Sequence, residues 1–201
     1  AIGKITGGTA HVMSHGMEDW HPNPDFFFQA GGGPVLDVGP YYVTNLIQLI
    51  GPVKKVMALS STPSPFRTIG SKPRAGEKIK VETPTTIQSL LEFESGAIIT
   101  MGASWDVWHH GHNNMELYGE DGTLYVPDPN FFGGELQMSK GSKLLKKMPK
   151  FAHPLGIPNQ KHGQGMMANY RTAGLADMAS AIQNDRPHRC SLEMSLHAVD
   201  V

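Results

Sequence analysis

Three groups of residues in this chain have types and spacings that chemistry can use. Asp37 and Tyr41 stand four positions apart in GGGPVLDVGPYYVTNLIQLIGPV, where an apolar helical pattern begins. If one helical turn spans both, their side chains stack on one face. A carboxylate beside a phenol can orient a sugar hydroxyl or pass a proton. The same spacing also suits a plain helix start, with Asp37 as cap and Tyr41 in the core. DVWHHGHNN places His109, His110 and His112 within four residues. On a strand, His110 and His112 share a face and His109 takes the other. No cysteine or carboxylate completes a familiar zinc spacing, and no H-x-x-x-H falls in a helical pattern. These imidazoles therefore read either as a polar rim that touches a substrate or as surface histidines. Trp20-His21-Pro22 joins a flat apolar surface to a titratable ring, which either stacks on a sugar or anchors its loop.

Gly31-Gly32-Gly33 invites comparison with a phosphate loop and fails it. The dinucleotide fingerprint wants G-x-G-x-x-G directly after a strand, with an acidic residue about 20 positions on. Here a loop precedes the glycines, and Pro34 removes a backbone donor just after them.

The elements that must position these residues follow from periodicity and turn residues. A strand is expected over Gly3–His15, then an irregular loop with an aromatic cluster at Phe26–Phe28. Val43, Leu46, Ile47, Leu49 and Ile50 recur at helical spacing, with Pro40 in the first turn and Gly51 as the C-terminal stop. Short strand-like runs follow in PVKKVMALSST, SPFRTIG and KIKVET. TTIQSLLEFESGAIITMGASWD predicts a hairpin turning at Glu94-Ser95-Gly96, with Ile87, Ser89, Leu91 and Phe93 on one face. A second strand pair is expected around Asp121-Gly122, and further strands in GGELQMSK and SKLLKKMP. The five lysines between Lys140 and Lys150 read as the solvated face of a hairpin. Phe151–Gly165 reads as loop, Met167–Asn184 as a helix with a stripe of Leu175, Met178, Ala179 and Ile182, and Ser191 as the cap of a last helix. Strands and helices are segregated, which predicts an α+β domain with an open, mostly antiparallel sheet and helices packed on one face.

Composition agrees with one domain over all 201 residues. Seventeen basic against 18 acidic residues give a formal charge of −1, so nothing favours nucleic acid or a membrane surface. The single cysteine, Cys190, excludes an internal disulfide and a cysteine-rich zinc site, and with no apolar run of membrane-spanning length it suggests a cytoplasmic location. Both ends look cut: the chain opens within a strand pattern and stops within a helical one, so it is expected to be part of a longer protein.

In GGGPVLDVGPYYVTNLIQLIGPV, and then in TTIQSLLEFESGAIITMGASWD, MELYGEDGTLYVPDPNFFGG and YRTAGLADMASAIQNDRPHR, the chain resembles the C-terminal domain of the Gfo/Idh/MocA oxidoreductases. This is the glucose–fructose oxidoreductase and inositol dehydrogenase family, whose members commonly carry GG-x-L-x-D-x-G-x-H/Y at the first helix of this domain. The resemblance implies an NAD- or NADP-binding Rossmann domain ahead of this one, and a sheet that serves as the oligomer interface. It implies a sugar, cyclitol or related polyol as substrate. Asp37 takes the family's acidic position, and Tyr41 the position that is histidine in many members. Both would position the substrate and transfer the proton that accompanies hydride movement, with Trp20, His21, Tyr42, His109 and His110 at the pocket rim. Two departures matter. A phenol in place of imidazole calls for a lowered pKa or a proton relay, and the Rossmann half with its Glu-Lys-Pro segment is absent from this chain. A binding or assembly module of the same fold that has lost catalysis is the alternative reading.

Overall fold

ITGGTAHVM forms strand β1 (Ile5–Met13) in a computed structural model that describes residues 1–163 and 165–201. The Pro- and Gly-rich stretch that follows is not all loop: it holds a single helical turn, α1 (Asp25–Phe28). The turn forms because Phe27 and Phe28 find a small core of their own, with Ile69, Ile79, Val81 and Trp105. The three glycines close this turn. Gly32 and Gly33 donate their N–H groups to Gln29 O (2.9 Å) and Phe27 O (2.8 Å). Gly31 and Gly33 take φ of 88° and 96°, and a Cβ on Gly32 would collide with the carbonyls of Phe26 and Phe27. The Gly32 and Gly33 amides are bonded inside the fold and cannot cradle a phosphate.

Two helices come next, α2 (Pro34–Asp37) and α3 (Gly39–Ile50), separated by Val38. Gly51 ends α3 at φ 111°, donating its N–H to Ile47 O. The strands then run β2 (Val53–Ser61), β3 (Phe66–Thr68), β4 (Lys78–Lys80), β5 (Thr86–Phe93), β6 (Ile98–Ser104), β7 (Met115–Gly119), β8 (Gly122–Val126), β9 (Gln137–Lys140) and β10 (Lys146–Lys147). One eight-stranded sheet has the order β10-β9-β8-β7-β1-β6-β5-β2, while β3 and β4 pair separately. Every pairing in the large sheet is antiparallel except β1 with β6, because β1 is inserted between β6 and β7.

The predicted hairpin is present, with Leu91 opposite Ile99, Ser89 opposite Met101 and Ile87 opposite Ala103. These residues share the face on which α3 lies. Tyr42, Val43 and Leu46 of α3 pack there with Ala10, Leu91, Phe93, Ile99, Met101, Met115 and Leu117. Alternation puts Thr9, His11, Gln88, Leu90 and Thr100 on the opposite, open face.

The C-terminal third departs further from expectation. The loop expected over Phe151–Gly165 contains a short 3-10 turn (Pro154–Gly156) and strand β11 (Gln160–His162), which pairs with β12 (Gly165–Met167); position 164 of that loop lies outside the described residues. The helix expected from Met167 is therefore shorter, α4 (Ala173–Gln183). Its apolar stripe does not face a core: Leu175, Met178, Ala179 and Ile182 are exposed, and only Ala181 is buried. Periodicity shows which face of a helix is apolar, but not what covers it. Helix α5 (Leu192–Asp200) starts as expected on Ser191, whose Oγ accepts the Met194 N–H. It docks on α3 and the sheet edge, where His197 Nε2 accepts the Val53 N–H at 2.9 Å.

The loops beyond the sheet are tied by a buried cation. Arg67 of β3 donates to Glu18 Oε1 (2.9 Å), to the His15 and Trp105 carbonyls (3.2 and 3.1 Å) and to the Asp106 carboxylate. Asp106 also accepts the hydroxyls of Thr85 and Thr86.

Candidate functional site

Asp37 and Tyr41 lie on either side of the α2–α3 junction rather than within one uniform turn. The Asp37 N–H donates to Gly33 O, the Val38 N–H to Pro34 O, and the Tyr41 N–H to Val38 O. Hydrogen bonding thus crosses the junction, while φ of −111° at Val38 bends it. Val38 precedes Gly39-Pro40, and Pro40 sits in the first turn of α3, where a missing N–H costs nothing.

Both side chains are open to an incoming molecule. Asp37 is exposed, caps no helix, and receives no side-chain hydrogen bond from the described residues. The protein packed around it removes enough water to raise its carboxyl above the usual aspartate range. Tyr41 is 40% exposed and is not the core tyrosine. That role falls to Tyr42, which is 1% exposed and therefore lies beneath the rim, not on it. Asn114 Nδ2 donates to the Tyr42 hydroxyl at 3.0 Å. Burial, and next the charge of Asp128, push that hydroxyl well above the usual phenol range.

From Tyr42 a polar chain returns to Tyr41. Asp128 Oδ1 accepts the Asn130 N–H (2.9 Å), Asn130 Oδ1 accepts from Arg171 Nη2 (2.8 Å), and the Arg171 guanidinium lies over the Tyr41 ring at 5.1 Å. Neither Asn130 nor Arg171 stood out in the sequence. Both lie in connecting segments with no periodicity, and their sole signal was the occurrence of polar residues among the aromatics of DPNFFGG and NYRTAG.

The remaining candidates are placed elsewhere. Trp20 is 63% exposed, and His21 packs edge-on against Phe26 and Phe27. His21 Nδ1 accepts the Asn23 N–H, and its carbonyl accepts the Ser71 hydroxyl, so His21 anchors its loop. His110 stacks on His112, which stacks at 4.0 Å on His11. His11 points to the open sheet face, so this stack lies across the sheet from α3. Burial, then His112 and His110, hold the His11 pKa below the usual imidazole range. His109 is exposed and joins neither group. Among the described residues no cluster of three or more His, Cys, Asp or Glu could hold a metal ion.

Tyr41 also borders a groove of about 790 Å³ between α3, the inner face of β2, β5 and β6, the start of α4 and one side of α5. Val43, Val56, Ile87, Leu91, Met101 and Phe132 line it. Such walls suit apolar packing. At its Tyr41 edge the groove meets polar groups instead, the Tyr41 phenol and the Arg171 guanidinium over it.

An open, mostly antiparallel sheet with helices on one face, and an acid and a phenol exposed where two of those helices meet, define an α+β domain. Residues 1–125 match the family model described as the GFO/IDH/MocA C-terminal domain, and the chain belongs to that family. No protein of curated function matches it by sequence. Solved structures share its fold. A levoglucosan dehydrogenase in complex with NADH and L-sorbose superposes with a TM-score of 0.71 at 22% identity, covering 100% of this chain and 56% of that one. An NAD-binding oxidoreductase from Klebsiella pneumoniae gives 0.70 at 22% identity, covering 98% and 55%. An aldose–aldose oxidoreductase from Caulobacter crescentus, complexed with glycerol, gives 0.65 at 21%, covering 99% and 51%. The chain thus spans about half the length of these structures. No helix among the described residues is long and apolar enough to cross a membrane.

Proposed function

We propose that this chain is the substrate-binding and oligomerisation domain of an NAD- or NADP-dependent oxidoreductase that acts on a sugar, cyclitol or related polyol. The observation that carries the reading is the exposed Asp37–Tyr41 pair at the α2–α3 junction, in a chain of this family. The likeness to levoglucosan dehydrogenase in complex with NADH and either L-sorbose or levoglucosan supports the substrate class.

Oxidising an alcohol removes a hydride from carbon and a proton from oxygen; the hydride goes to a nicotinamide, and the residues here deal with the proton. The Gly32 and Gly33 amides are already bonded within the fold and do not take a dinucleotide's phosphates; in this reading the dinucleotide is held mainly by the Rossmann domain that the family resemblance implies. Asp37, whose carboxylate is unpartnered among the described residues, accepts a hydrogen bond from a substrate hydroxyl and sets its orientation. Tyr41 takes up or passes on the proton of the reacting hydroxyl. The natural full-length protein, assayed with NAD+ and NADP+ against a panel of aldoses, anhydrosugars, cyclitols and linear polyols, is expected to turn over at least one. Absence of turnover with every pair overturns the reading.

The open sheet face carries exposed Met57, Leu59, Leu90, Ile98 and Tyr118. We infer that a second copy covers it, since exposed apolar residues on one contiguous face mark an interaction surface. Light scattering on the full-length protein is expected to give a dimer or a multiple of it, and Leu90→Asp is expected to lower the mass. A wild-type monomer at high concentration would refute this.

A further inference from the structure

Among the described residues, Arg171 is the charged side chain held over the Tyr41 ring, and the structure fixes it there from both ends. Its Nη2 donates to Asn130 Oδ1 at 2.8 Å, and Asn130 is itself set by its N–H to Asp128 Oδ1 at 2.9 Å. Its backbone belongs to a segment knitted to the rest of the fold. The Phe132 N–H donates to Ala168 O, the Tyr170 hydroxyl to Ile157 O, and Asn159 exchanges two hydrogen bonds with Asn169. An exposed cation over a phenol ring adds little to folding. Its geometric effect is larger: a tethered guanidinium held over one face of the ring, its Cζ 5.1 Å from the centroid, restricts the torsions of a side chain that otherwise projects into solvent.

We propose that Arg171 is a positioning residue for Tyr41, fixing the direction of the phenol hydroxyl through the guanidinium held over its ring, with Asn130 as the tether. The proposal rests on the reading of Tyr41 as the proton-handling residue. Asn130 and Arg171 belong to two loops that meet beside the N-terminal turn of α3, so the ring is oriented by groups outside its own helix. Reaction rates depend steeply on the alignment of the reacting group, and misplacement by about an ångström can cost two orders of magnitude. Lysine cannot replace arginine here, because an ammonium has no planar fork to lie on the ring while donating to Asn130.

The test uses the natural full-length protein labelled with 3-fluorotyrosine, the Tyr41 signal being identified by its loss in Tyr41→Phe. Arg171→Ala and Arg171→Lys are both expected to shift and broaden that 19F signal while leaving those of the other tyrosines in place. An unmoved Tyr41 signal in Arg171→Ala overturns the proposal. On the substrate turned over, Arg171→Ala is expected to lower kcat about tenfold with KM for the dinucleotide unchanged. In a Tyr41→Phe background the same change is expected to have less than a twofold effect, because the two residues act as a unit. A full tenfold loss in that background overturns the positioning role. If the wild-type protein turns over no sugar or polyol, the functional reading fails, and the 19F signal still decides whether Arg171 orients the ring.

Discussion

Tyr41→Phe and Asp37→Asn are each expected to lower kcat of the full-length protein by about a hundredfold, with dinucleotide affinity unchanged. A positioned acid or base contributes roughly 10²–10⁴ to a proton-transfer step. Tyr41→Phe removes one exposed hydroxyl and leaves the ring beneath Arg171, so folding is undisturbed. Asp37→Asn keeps the shape and removes the charge. The two changes separate by their effect on stability. The Asp37 carboxyl is raised in the folded chain by loss of hydration. Between the pKa of an unfolded aspartate, about 3.9, and the raised folded value, the native chain holds a proton that the unfolded chain has released. Folding is therefore favoured below this window and weakened above it. At pH 7 the ionised Asp37 carries a desolvation cost that a neutral amide at the same position avoids, so Asp37→Asn is expected to unfold at slightly higher urea than wild type. The gap closes as pH falls through the carboxylate range, and it is small because solvent reaches the side chain. Steady-state kinetics, cofactor titration by fluorescence and urea melts at pH 7 and pH 3 check these outcomes. Unchanged kcat in both variants would remove the pair from the reaction.

The largest expected effect on stability lies at Arg67. It is 8% exposed, and its guanidinium serves two carboxylates and two carbonyls that come from separate loops beyond the sheet. Arg67→Met leaves Glu18, which is almost fully buried, and Asp106 without their cation. Breaking one side of a buried pair costs about 3–5 kcal/mol, well above the loss from an exposed salt bridge. Combining Arg67→Met with Glu18→Gln and Asp106→Asn is expected to recover much of that loss, since it also removes the charges left stranded. Urea melts measure both variants. A loss below about 1 kcal/mol in Arg67→Met, the range of surface pairs, would show that the network is solvated rather than buried. The loop carrying Trp20 and His21 begins at this network, so the same variant is expected to loosen that loop while leaving α3 intact.

The features legible in the sequence are those set by neighbours within a few residues. The β5–β6 hairpin shows in strict alternation around Ser95-Gly96, α3 in its 3.6-residue period between Pro40 and Gly51, and α5 in its Ser191 cap. Asp37 and Tyr41 were readable as a pair for the same reason, because helical spacing brings residues four apart together. Local signals also misled where a partner was needed. The Met167–Asn184 pattern was apolar enough for a long helix, yet its first residue pairs in a strand with Gln160, and its stripe meets no core. Adjacent Tyr41 and Tyr42 are chemically identical in the sequence; the rotation of α3 on the sheet alone decides that one is buried against Asn114 and the other stands open.

By itself, then, the sequence determined the element types, the α+β class, the family resemblance and the acid–phenol pair. Tertiary structure alone decided the insertion of β1 between β6 and β7, the displacement of His110 and His112 to the far face, the burial of Arg67 with Glu18 at a separation of 49 residues, and the Asn130–Arg171 bond at a separation of 41. The reason is physical. Periodicity, caps and turns are written in torsions and contacts a few residues apart, whereas the choice of partner is made by whichever distant surfaces, brought together by the whole fold, best satisfy a buried charge or ring.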